Sequence, residues 1–514
     1  MEEADYVIVG GGTAALVVAC RLSENPETRI VVLERGEDTS SDARVQDPLV
    51  YESLMGSEMD WNLKGAPQAG LNGREFNQAA GKALGGSSVI DGCIFLPPAA
   101  AAFNAWESLG NPGWNWETLA PCFQRAYTLH PRTGGPQSNT AGPIQVSYPV
   151  PTERADTTLL DAWKQAFEEH GYGYADELVS EGATIGTRPY TATIDPVSGH
   201  RSSAANGYGA IIASRANVRI VTGASVTQVQ IEAQGTVLFK PTKEVIMAAG
   251  VFNNPQILEL SGIGDPARLQ TLGISPLVHL PGVGENLTNH AMSVLSAPVK
   301  AHADIQDIAP GMKANAFIHL APMDMQEILD RAREAPDHAA IAGILNGPNE
   351  ASACIHFAIY PGNLAIIGIF PSFPFSRGSV HIQSADPASS PQIDPKYLNH
   401  PSDLDSMVRH VQHLQEIFHS ARLQPFVDAP PPQDREALAQ LVREAMAIPT
   451  AHACGTTAML PRERGGVVAS DLKVYGVSNV RVVDASVFPV ISQANPISTV
   501  YTVAERAADL IRAN

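Results

Sequence analysis

At 514 residues, with 44% hydrophobic and 17% charged side chains, the chain is long enough for two or three globular domains with ample cores. Its 53 acidic against 34 basic residues give a formal net charge of -19, which argues against a protein that holds a phosphate backbone through clustered Lys and Arg. No uninterrupted apolar stretch of about 18 residues occurs, so no membrane-spanning helix is expected. Five widely spaced cysteines form no Cys-x-x-Cys pair, and the first strand begins by Tyr6 with no apolar leader before it. Both features favour a reducing, cytoplasmic setting.

Taken from the N-terminus, Tyr6-Val7-Ile8-Val9 is a short apolar run of the kind buried on both faces of a parallel sheet. Three glycines follow, then Ala14 to Ala19, a helix former, and then a second strand, Arg29 to Leu33, that ends at Glu34. This is a βαβ unit about 30 residues long. Residues 40–75 lack periodicity and read as surface or lid structure. Thr158, Leu159, Ala162 and Phe167 predict an amphipathic helix over 157–171. Val218 to Val221 and Glu244 to Met247 read as strands. Met407, Val411, Leu414 and Phe418 fall on one helical stripe and predict a core face. His410, His413 and Glu416 lie near one face of that same helix, and an amphipathic helix explains them without a metal. The last helix is expected over Pro496–Ile511, with Pro496 in its first turn and Val500, Val503, Ala507 and Leu510 or Ile511 facing inward.

Gly10-x-Gly12-x-x-Ala15 stands between the first strand and helix with dinucleotide-binding spacing. Gly10 permits the tight turn, Gly12 a close backbone approach to a pyrophosphate, and Ala15 close helix packing. The helix start at Thr13 and Ala14 then offers free N–H groups to the phosphates. Glu34, 22 residues after Gly12 at a strand end, is placed to bond a ribose hydroxyl. The fingerprint predicts an ADP moiety and does not separate NAD from FAD.

Gly81-Lys82-Ala83-Leu84-Gly85-Gly86-Ser87-Ser88 resembles the first signature of the glucose–methanol–choline (GMC) oxidoreductase family, and Ala249 through Gly264 resembles its second. Further echoes are Gly110-Asn111-Pro112-Gly113-Trp114, Pro281-Gly282-Val283-Gly284-Glu285-Asn286-Leu287, Ser376-Arg377-Gly378-Ser379-Val380 and the block from His452 to Ile511. The likeness implies an α/β (α+β overall) protein: a Rossmann-type FAD-binding domain plus a substrate domain with an antiparallel sheet flanked by helices. The cofactor domain would comprise 1–150, 198–297 and 450–514, and the substrate domain 151–197 and 298–449.

The same resemblance implies cofactor contacts from Gly10, Gly12, Thr13, Ala14, Glu34, Gly86, Ser87, Asp91, Gly92, Val226, Asp484, Ala485, Asn495, Pro496 and Ile497. Val226 would meet the adenine through its backbone. Where many relatives carry a flavin-linking His, this chain reads Ser87-Ser88-Val89-Ile90, so FAD is expected to be non-covalent.

His452 takes the family's catalytic position and Asn495, 43 residues later, the second. Oxidising an alcohol requires a base for the hydroxyl proton, and His is the ordinary choice. Asn cannot titrate, so it can only orient the hydroxyl and stabilise the alkoxide. A primary or benzylic-type alcohol is the expected substrate, with oxygen or a quinone as electron acceptor. A lyase, decarboxylase or cyclase step in specialised metabolism is the alternative.

Departures from the family pattern are Asp91 for the usual Asn, Pro97-Pro98 for Arg-Gly, Asn289 for Asp, and the small Ala451 before His452. If Asp91 faced the flavin, its charge would oppose the reduced cofactor unless it were protonated or turned to a backbone N–H. Phe373 and Phe375 fit a pocket wall or the core, and the core reading is preferred.

Overall fold

The structure, a computed structural model, describes residues 2–132, 140–149, 154–175, 185–230, 239–305, 308–332, 336–347 and 349–513. The expected boundary at 150/151 lies outside them. The strands of its two large sheets are β1 (Glu2–Val9), β2 (Ile30–Leu33), β3 (Gly186–Pro189), β4 (Val218–Val221), β5 (Phe239–Met247), β6 (Ala291–Pro298), β7 (Gly311–Ile318), β8 (Ala353–Tyr360), β9 (Leu364–Pro371), β10 (Ala447–Pro449) and β11 (Val480–Val482). The helices that matter here are α1 (Thr13–Leu22), α2 (Arg154–Glu169), α3 (Gly250–Leu260), α4 (Pro401–Phe418) and α5 (Ile497–Arg512).

The first sheet is parallel, in the order β11-β5-β1-β2-β4. β1 is paired on both sides, and Ile8 and Val9 are buried, which is why the strand reads as continuous hydrophobicity. α1 buries nine of its ten residues. α5 packs against it, with Val500, Val503, Ala507 and Ile511 inward as expected and Pro496 at the N-cap. Periodicity missed Glu505, whose carboxylate is fully buried. It accepts from Arg21 (2.9 Å), Arg125 (2.7 Å) and the Tyr208 hydroxyl (2.7 Å), tying α5 to α1 and to the segment after Gln124.

The second sheet is antiparallel among its neighbours, in the order β10-β6-β9-β8-β7-β3. α2 and α4 cover its outer face: Trp163 stacks on Phe357 at 4.7 Å, and Met407, Val411, Leu414 and Phe418 are all buried in the same cluster. β6 belongs to this sheet although most of it precedes residue 298, where the substrate segment was expected to begin. The inner face carries Phe317, Cys354 and Phe370, which pack with Leu96 and Ala494. The two sheets thus meet through the chain segments that lead into α5. Phe373 and Phe375 are 2% and 3% exposed and sit in the main core, as the core reading expected. His410 is buried on α4, between the Ser352 hydroxyl at 2.8 Å and the Ser406 carbonyl at 2.6 Å, while His413 meets the Tyr172 hydroxyl at 2.7 Å.

Candidate active site

Strand pairing brings His452 into place. His290 leads into β6 and His452 follows β10, and the register Ala291↔Pro449 sets the two segments side by side. Ala451, exposed and left-handed at φ 59°, turns the chain so that the His452 ring enters the interior. The Asn289 side chain then anchors the turn: its Oδ1 accepts from the His452 N–H at 2.9 Å and its Nδ2 donates to the Tyr397 hydroxyl at 2.6 Å. The amide at 289 therefore supplies both a donor and an acceptor to the support of His452.

Hydrogen bonding fixes which nitrogen of His452 is free. His290 Nε2 lies 2.9 Å from the Ser372 carbonyl, which can only accept, so that nitrogen carries the proton. Neutral His290 then presents a lone pair at Nδ1, 2.9 Å from His452 Nδ1, which must donate. His452 is left with its lone pair at Nε2, where Asn495 Nδ2 stands at 3.0 Å. A substrate hydroxyl placed between that nitrogen and that amide would find an acceptor for its proton and a donor for its oxygen.

Burial drives the electrostatics. It holds His452 well below the ordinary histidine range, and the rings of His290 and His356 add to the effect. Burial likewise lowers His290 and His356 to about 4 each. The His452 ring is neutral at physiological pH, the form that can accept a proton. Phe370 packs against all three rings, with centroids 4.6 to 5.5 Å away. Sequence reasoning singled out none of His290, His356 and Asn315. Their signal lies in tertiary pairing: Asn315 and His356 are register partners on β7 and β8, and His356 Nδ1 is 2.7 Å from Asn315 Oδ1.

The other candidate residues gather at the C-terminal end of the parallel sheet. Gly10 has φ 100°, and a Cβ there would stand 2.3 Å from the Ala248 carbonyl. Gly12 approaches Gly86, whose φ is 56° and whose added Cβ would stand 2.7 Å from the Gly12 Cα. No side chain caps the first turn of α1, so its N–H groups at Thr13 and Ala14 remain available to an anion beside this glycine pair. Glu34, raised by burial, accepts from the Gly11 and Gly36 N–H groups at 2.6 and 2.7 Å, which puts a carboxylate beside the glycine turn. This uncapped glycine cradle with an acid at its rim fits a dinucleotide such as FAD. Ser87 Oγ accepts from the Gly81 N–H at 3.1 Å. Val226 lies after β4 and outside any strand, packed against the cluster of Ala4, Val7, Val31 and Leu33. Asp484 is engaged within the chain: its oxygens accept from Gly250, Asn254 and Ser486 at 2.6–2.8 Å. What it offers a ligand is the backbone it fixes at Ala485. Pro496 and Ile497 open α5 directly after Asn495.

Asp91 turns away from the exposed-charge case. Its Oδ1 accepts from the Cys93 N–H at 3.0 Å and from Arg201 at 2.7 Å, and Gly92 offers its carbonyl to the Tyr190 hydroxyl at 3.2 Å. Burial raises the Asp91 carboxyl and the Arg201 guanidinium opposes that rise. No local pattern signals this pair, because the two residues are 110 positions apart.

The whole chain has recognisable relatives. GMC oxidoreductase sequence families match residues 4–292 and 374–504. A GMC oxidoreductase family protein, Mala s 12, from Malassezia sympodialis is 31% identical over 576 residues, covering 99% of this chain and 92% of the relative. An FAD-dependent oxidoreductase from Chaetomium thermophilum superposes with a TM-score of 0.88 at 26% identity over 99% of each chain. A fungal aryl-alcohol oxidase gives 0.84 at 27%, again over 99% of each. With its two sheets, its glycine cradle and its hydrogen-bonded His452–Asn495 pair, the chain belongs to the GMC oxidoreductase family.

Proposed function

We propose that this protein oxidises a primary or benzylic-type alcohol to the corresponding carbonyl, with non-covalent FAD as its cofactor and oxygen or a quinone as final acceptor. The observation that carries the reading is the fixed tautomer of His452, which leaves one lone pair facing the Asn495 amide inside an apolar wall. FAD, when bound, supplies the two-electron acceptor for the carbinol hydrogen. The chain supplies the rest. His452 Nε2 takes the hydroxyl proton. Asn495 Nδ2 donates to the oxygen as its charge grows. His290 and the Ser372 carbonyl keep the second nitrogen of His452 engaged, so the imidazole cannot turn over between cycles.

The start of α5 lies next to Asn495, and its positive end favours negative charge on whatever stands before it. The likeness to an aryl-alcohol oxidase supports an alcohol substrate. Absence of His from Ser87-Ser88-Val89-Ile90 supports a cofactor held without a covalent link there.

The test is turnover of a panel of aryl and aliphatic primary alcohols, with oxygen and separately with a quinone dye, measuring the carbonyl product. One alcohol class should give product, and acid precipitation should leave the yellow colour in solution. No carbonyl from any alcohol with either acceptor would overturn the reading. Colour retained in the pellet would overturn the non-covalent assignment.

A further inference from the structure

Three buried polar atoms beside the catalytic pair lack a hydrogen-bond partner among the described residues: Asn495 Oδ1, His356 Nε2 and Asn315 Nδ2. They share one cause. Asn315 Oδ1, 2.7 Å from His356 Nδ1, can only accept, so His356 would carry its proton on Nδ1. Its Nε2 would then turn a lone pair toward Asn495, whose free atom is also an acceptor. Two acceptors face each other while the Asn315 donor stands idle. Each such orphan has lost its water without gaining a partner, which destabilises the fold.

The oxygen and nitrogen of an amide have nearly the same shape, and hydrogen bonding decides between them. Turning over the Asn315 amide removes the conflict. Its Nδ2 then donates to His356 Nδ1, His356 carries its proton on Nε2, and that N–H donates to Asn495 Oδ1. The Asn315 oxygen moves to the opposite side of its amide. Its register partner on β3 is Arg188, on the same sheet face, whose cation favours an oxygen there.

We propose that His356 is a positioning residue: held by Asn315 as the Nε2–H tautomer, it fixes the Asn495 amide with Nδ2 directed at His452 and the substrate oxygen. Every donor then runs one way, from Asn315 through His356, Asn495, His452 and His290 to the Ser372 carbonyl. No member need be charged, in keeping with the depressed basicity of all three histidines. Without His356 the Asn495 amide is free to turn over and present its oxygen to the base, removing the donor that the alkoxide needs. His356 acts through Asn495 and not on the substrate. The inference rests on the reading of His452 and Asn495 as the alcohol site, and its first test does not depend on turnover.

That test is nitrogen-15 NMR of the holoprotein labelled at histidine, with the His356 signal assigned by its loss in His356→Gln. The proton should lie on Nε2; a proton on Nδ1 overturns the proposal. The second test is kinetic. His356→Leu should lower kcat on the order of 10–100-fold with KM and flavin content little changed. His356→Gln, whose amide N–H can still donate to Asn495, should restore most of the loss. A Leu variant as fast as the wild type, or a Gln variant as slow as a folded, flavin-replete Leu variant, overturns it. A wild-type protein that oxidises no alcohol would sink the functional reading and leave the tautomer result standing.

Discussion

In the proposed reaction His452 takes the proton, and its environment predicts how it titrates. Burial depresses its basicity, so the neutral base persists below the ordinary histidine range. kcat/KM should be flat across neutral pH and fall only well below pH 6.5; an acid limb above pH 7 attributable to the free protein would contradict this. Replacing Asn495 by Ala should lower kcat/KM on the order of 10²–10³-fold, because one donor to the developing alkoxide is removed while the base remains. Steady-state kinetics with the best alcohol measure it. These two residues were legible in the sequence because their segments match family motifs. His290, His356, Asn315 and Arg201 were not, because each acquires its partner through pairing across more than 40 positions. Asp91 was legible as an anomaly but not as half of an ion pair. No local pattern reports a partner at that distance.

Among the elements, α1, β2, α2, β4, β5, α4 and α5 followed from periodicity and from the glycine and proline positions. These are long or flanked segments whose burial repeats at the helical or strand period. The antiparallel sheet was expected only through family likeness, since β3 and β10 are too short to carry a pattern of their own. Glu505 shows how a buried charge hides in an amphipathic helix. Its position on the inner face of α5 is satisfied only because Arg21, Arg125 and Tyr208 converge on it. Glu505→Gln removes the buried charge shared by Arg21 and Arg125, which keep Glu24 and Asp509, and should destabilise the α1–α5 pair by about 2 kcal/mol. Thermal melts of the holoprotein would show it; an unchanged melting temperature would remove Glu505 from the account.

At the scale of the molecule, two sheets of different character converge on one interior lined with neutral histidines. That arrangement carries an acid liability. The folded values of His290 and His356 lie at about 4, and that of His410 at about 3, against an ordinary 6.5, all lowered by burial. Between these values the unfolded chain binds more protons than the folded one. Stability from these groups is therefore complete above pH 6.5 and is lost as pH falls through this window, by about 3 kcal/mol for each of His290 and His356 and about 5 kcal/mol for His410. The melting temperature should drop between pH 7.5 and pH 5; a rise over that interval would contradict the buried, neutral assignment.

The most direct measurement is anaerobic mixing of the holoprotein and of His452→Ala with the alcohol that the wild type turns over best, following the oxidised flavin band. Rapid bleaching is expected in the wild type. In the variant, bleaching should be slowed on the order of 10²–10⁴-fold, with flavin content intact. A variant that bleaches as fast as the wild type would contradict His452 as the base, and a wild type that no alcohol bleaches would contradict the oxidation itself.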